Sequence, residues 1–298
     1  MKTASSPVDA ASYYGRPILK PPVWEADIPV YFFLGGMAGA SSLLALGARL
    51  TGNDRLARNA TYVNAASLTV SPALLIHDLG RPERFLNMLR VFKITSPMSV
   101  GTWIVSASGS AAGGAATLEV LGLAPRLRFA AESGAALLGP FLSTYTAALV
   151  TQSVVPIWHE VRRELPFVFA GSSAASAGGA AAILTPALDA RPARRLAVAG
   201  AALELLATRA MRRRLGPLGR PYEEGLPGTL AKLAEGATLA GGTLMALAGR
   251  RRAGAVAAGA LLLTGSVAQR FAVVKAGTPS ALDPSYVTVP QRARLAGR

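Results

Sequence analysis

Cysteine is missing from all 298 residues, and histidine occurs only twice. The first absence excludes disulfides, cysteine-ligated iron–sulfur clusters and thiolate zinc sites. The second excludes a b-type haem clamped by histidines from opposite sides, because His77 and His159 fall at the same end of the apolar segments. No haem or metal is therefore expected on this chain. Charge is scarce too: 16% of residues are charged against 51% apolar, which is less charge than a soluble domain of this length carries.

The charge that remains is basic, with 31 Lys+Arg against 16 Asp+Glu and a net +15. A nucleic-acid binder would gather that charge on one face. Here the arginines sit in short clusters between apolar runs, which is the pattern of membrane topology. The expected partner is a lipid membrane, and no nucleic acid. Residues 1–27 are polar and proline-bearing, with no apolar core ahead of a cleavage site, so insertion is expected to be driven by the first spanning helix.

What is abundant is Ala, Gly, Ser and Leu, the residues that let membrane helices approach closely. A span needs about 20 mainly apolar residues, and eight stretches qualify: Ile28–Leu50, Ala60–Ile76, Ser99–Leu123, Phe129–Val155, Phe167–Leu188, Arg195–Met211, Leu230–Ala248 and Ala253–Val274. The second and sixth are short and Glu235 interrupts the seventh, so seven is the competing count. Breakers separate them: Gly52-Asn53, Pro125, Pro156, Arg191-Pro192, Gly216-Pro217 and the arginines at 250–252. Ile28-Pro29 and Leu165-Pro166 open similar glycine- and serine-rich stretches, which points to two related halves of residues 28–277, about 28–160 and 161–277; the other reading is that any two small-residue membrane helices look alike. Residues 278–298 read as a polar, extended tail.

An even number of spans puts both termini on one side, here called the N-side. Arginine density in the short opposite loops favours the opposite side as cytoplasmic, while the total basic count favours the N-side, so orientation stays open. On the N-side fall Asp27 and Tyr31, one turn apart at the start of the first span. His77, Asp78 and Arg81 end the second, Ser96 and Trp103 begin the third, and Tyr145 and Gln152 lie in the returning half of the fourth. Trp158, His159 and Glu160 follow. Such residues have a plain reading as interfacial anchors and loop ion pairs. They have a chemical one as well: reducing a quinone requires proton donors beside its oxygens, and histidine is protonatable near neutral pH. Glu204 and Glu235 fall inside spans, where acids pair or carry protons. Glu204 with Arg209 is an ion pair on one reading and part of a proton path on the other. Glu119 and Glu132 read as boundary residues.

Four stretches resemble the NrfD/PsrC family, the membrane subunits of polysulfide reductase and related molybdopterin oxidoreductases. They are WEADIPVYFFLGGMAGASS from Trp24, HDLGRPERFLNMLRVFKITSPMSVGTW from His77, YTAALVTQSVVPIWHEVRRELPF from Tyr145, and QRFAVVKAGTPSALDPSYVTVPQR from Gln269. The resemblance implies an all-α integral membrane protein of eight transmembrane helices in two four-helix bundles. It also implies a site for menaquinone or ubiquinone near the N-side, where a four-cluster iron–sulfur subunit docks and connects to a molybdopterin catalytic subunit, in the inner cell membrane. The residues it points to are Asp27 or Tyr31, His77 with Asp78, and Tyr145. In this reading His77 and Tyr145 face the two quinone oxygens, Asp78 orients His77, and Arg81 holds the loop or meets the partner. A secondary transporter and a structural anchor without quinone chemistry are the rival functions.

Overall fold

The computed structural model describes residues 17, 19–81 and 83–296, so most of the polar segment assigned to 1–27 lies outside the described residues. Every regular element among them is helical: α1 (Asp27–Leu50), α2 (Asp54–Asp78), α3 (Glu83–Arg90), α4 (Pro97–Leu121), α5 (Pro125–Thr151), α6 (Pro156–Glu160), α7 (Leu165–Leu184), α8 (Arg191–Leu215), α9 (Gly225–Ala248), α10 (Arg252–Leu282) and α11 (Ser285–Ala296), with a 3-10 segment at Gly216–Tyr222. Five of these, α1, α4, α5, α7 and α10, are long and apolar enough to cross a membrane. Helices α2, α8 and α9 are also 24 or 25 residues long, but they carry more charge: arginines at both ends of α8, and Lys232 and Glu235 within α9. Large apolar side chains such as Leu137, Phe141, Phe167, Leu206 and Leu247 stand exposed on α5, α7, α8 and α9, as a lipid-facing surface requires. The chain is a multi-pass membrane protein.

Local signals set the boundaries. Asn53 caps α2 by accepting from the Leu56 amide, and Ser96 caps α4 by accepting from the Ser99 amide with Pro97 in the first turn. Gly122 ends α4 at φ 64°, a left-handed conformation that glycine adopts without strain. In packing, α1 lies against α2, α5 and α7, while α7 and α8 pair, as do α9 and α10. At Gly200 of α8 an added Cβ would run into the backbone of Ala175 and Gly171; only glycine there permits the close approach to α7.

Two expectations change. The tail is helical rather than extended, since α10 continues to Leu282 and α11 follows; α10 is extended by Ala- and Gly-containing sequence that the polar reading at 278 cut short. The loop after α2 also contains a helix, α3, whose exposed Leu86 shows that this amphipathic segment lies along the surface and not in the bundle.

Candidate functional site at the N-side rim

The helices bring the N-side residues together around α1. Asp27 is its first residue, where a carboxylate suits the positive end of a helix, and His77 is the next-to-last residue of α2, where a cation suits the negative end. Their side chains meet, with His77 Nδ1 2.5 Å from Asp27 Oδ2. The carboxylate raises the pKa of His77, first by the hydrogen bond and then by its charge, and Asp78 and Glu25 add to the effect. The His77 side chain is 82% exposed, so its other ring edge is open to whatever approaches the rim. Asp78 does not take the orienting role expected of it: Asp27 holds the ring, because the adjacent residue on a helix points away from its neighbour. Burial, and then Asp27 and Glu25, raise the pKa of Asp78.

One turn deeper on the same face, the Tyr31 hydroxyl is hydrogen-bonded to that of Tyr145 on α5. Tyr31 is buried and Tyr145 half-buried. The Tyr145 ring occupies the space over Gly101 of α4, where any Cβ would enter the ring. Asp27 and Tyr31 thus connect an exposed imidazole at the rim to a phenol pair inside. Asp27 and Tyr31, alternatives in the sequence, both lie on this line of contacts.

The other expected residues sit around this line. Trp103 is 40% exposed and donates from Nε1 to the Val91 carbonyl at 3.4 Å, edge-on to Phe92; it fastens the α3–α4 connection and does not reach the tyrosines by hydrogen bond. Arg81 is exposed and makes no ion pair among the described residues. Trp158 is buried, donates to the Val273 carbonyl at 2.7 Å and stacks on Trp24 with centroids 5.1 Å apart, which pins the segment before α1 over the bundle. His159 stays apart from His77, with Nδ1 3.3 Å from the Thr151 carbonyl.

In the second half Glu204 is buried, but its counter-charge is Arg270 and not Arg209. Glu204 faces α7, α9 and α10, whereas Arg209, five residues on, lies well round the helix. Thr238 donates to the Glu204 carboxylate at 3.4 Å. Arg270 is fully buried, donates to the Phe169 carbonyl and to Ser173 Oγ, both at 3.1 Å, and stacks over the Phe169 ring at 3.7 Å. Its Nε and second terminal nitrogen have no acceptor among the described residues. Glu235 is at the surface, 2.6 Å from Arg212. Sequence reading passed over Arg270, although a lone cation inside an apolar span was a signal. It also underrated Glu119 and Glu132. Arg49 bonds Glu119 at 2.6 Å, Glu132 at 2.8 Å and Asp54 at 2.7 Å, with Arg58 and Arg128 also on Glu119. This ionic knot ties α1, α2, α4 and α5 together opposite the N-side.

A family model described as polysulphide reductase, NrfD, matches residues 18–216, a stretch that holds the whole His77–Asp27–Tyr31–Tyr145 line. No curated protein matches the chain.

Proposed function

The chain belongs to the polysulphide reductase NrfD family, and from that premise we propose that it is the quinone-reactive membrane anchor of a multi-subunit oxidoreductase. Its eight long helices would all span the bilayer, as two four-helix bundles, α1, α2, α4 and α5 in one and α7 to α10 in the other. An iron–sulfur subunit would dock on the N-side rim and link it to a molybdopterin catalytic subunit. The observation that carries the reading is the pairing of an exposed imidazole with a part-buried phenol pair through successive turns of α1. The donor set fits a quinone, whose two carbonyl oxygens need hydrogen bonds when oxidised and protons when reduced.

In this reading the quinone supplies two-electron, two-proton chemistry, and the chain supplies position and protons. His77 donates from its free ring edge, and Asp27 fixes the ring and keeps it protonated to higher pH. The Tyr145 hydroxyl, held by Tyr31 and by the ring's seat on Gly101, donates from the other side. Asp78, Arg81 and Trp103 shape the rim and meet the docking subunit.

The test is quinol-dependent turnover in the assembled complex. His77→Ala should lower it by about two orders of magnitude or more, the scale of a positioned acid–base group, while the subunits still co-purify. Undiminished turnover would remove His77 from the mechanism.

A second reading, proton movement through the other half, is favoured by Glu204 and Arg270, an enclosed acid and cation with Ser172, Thr238 and Ser266 around them. Intramembrane charges of this kind mark proton paths. Glu204→Gln should then stop quinone-linked acidification in proteoliposomes and leave electron transfer intact; acidification that persists in the variant contradicts it.

A further inference from the structure

The face opposite the N-side has a groove of about 780 Å³ between the first turn of α8 and the turn joining α9 to α10. Arg191, Arg194, Arg195 and Arg250 line its polar side, Val198 and Met245 its apolar side, and no carboxylate among the described residues lines it. Arg194 is held by a 2.6 Å bond from its guanidinium to the Ala187 carbonyl. Arg191, Arg195 and Arg250 are exposed and make no ion pair among the described residues. The nearby acid Asp189 is engaged by Arg55. In the Arg49 knot on this face cations are paired with acids; in the groove four arginines converge with no ion pair among the described residues. Such crowding is unfavourable unless an anion joins them.

The groove does not end in water. Arg195 and Ala199 also line a second, apolar groove of about 700 Å³, walled by Leu43 and Leu44 of α1 and Pro140 of α5. The two grooves meet along one stripe of α8, with charge at the membrane edge and hydrocarbon leading inward from it.

We propose that this composite groove is a binding site for an anionic phospholipid: the four guanidiniums hold the phosphodiester headgroup, and an acyl chain follows the apolar groove. Arginine matches phosphate oxygens with paired N–H donors, and the amide end of α8 adds to the attraction. A free phosphate would satisfy the arginines and leave the adjoining apolar wall unused, so a lipid is the better match. Basic pockets between membrane helices take anionic headgroups. The assignment is independent of the quinone site, which lies at the other end of the bundle.

The test titrates the full chain in phosphatidylcholine nanodiscs with fluorescent phosphatidylglycerol. The double variant Arg191→Gln/Arg250→Gln should weaken binding about thirtyfold, at roughly fivefold for each arginine near the surface. Arg126→Gln removes one charge from the α4–α5 turn on the same face and should leave affinity unchanged, whereas it would weaken binding if every surface arginine counted for about fivefold. Arg191→Lys/Arg250→Lys keeps the charge and should retain most of the binding, which separates loss of charge from misfolding. Inorganic phosphate should compete only weakly. A weakening of about fivefold by Arg126→Gln would reduce the site to general surface charge. Full competition by phosphate would make it a free-anion site. Unchanged affinity in the double glutamine variant would overturn it altogether.

Discussion

His77 shows how much one neighbour changes a residue. Alone at a helix end it would titrate near its ordinary value of about 6.5; with Asp27 2.5 Å away it stays protonated to higher pH. The sign follows from linkage. The folded pKa is raised, so the stabilisation from the pair is complete below the unfolded value and fades as pH climbs through the folded one. Asp27→Asn should therefore move the His77 titration downward in ring-proton NMR, and the alkaline limb of quinone reduction, which needs the protonated ring, should move with it. An unshifted titration would mean that the contact is not formed in the membrane. The phenol pair gives a second prediction. Gly101→Ala would place a methyl group inside the Tyr145 ring and should cost about 1–3 kcal/mol in thermal stability together with quinone-analogue binding. Retained binding at unchanged stability would show that the ring has other room.

At the scale of elements, legibility followed local chemistry. The long helical stretches, the Gly52-Asn53 and Gly216-Pro217 breaks, and the start of α4 near Ser96 could be read from residue type, because caps and prolines act over a few residues. Partners could not. Asp27 rather than Asp78 for His77, and Arg270 rather than Arg209 for Glu204, depend on which helices lie side by side, and no spacing along the chain reports that. The same holds for the ionic knot: Glu119 and Glu132 look like boundary acids until α1 brings Arg49 between them. With its acids nearly enclosed, the knot should behave as a buried network in which loss of one member strands the others. Arg49→Ala is expected to cost about 3–5 kcal/mol, measured by thermal unfolding in detergent. A negligible change would mean that water already screens the cluster.

The whole molecule is organised from α1 outward, with two chemistries held at opposite ends. At the N-side, α1 presents Asp27 to α2 and Tyr31 to α5; at the other end Arg49 closes the ionic knot. Protonatable side chains are thus gathered at one rim, and a cluster of arginines at the other. The central claim, that the imidazole–carboxylate and phenol pairs together form one quinone site, is tested most directly by titrating the purified chain in nanodiscs with a fluorescent hydroxyquinoline N-oxide, a quinol analogue. The account predicts saturable binding at one site per chain, lost in both His77→Ala and Tyr145→Phe. Binding of wild-type strength in both variants would contradict it.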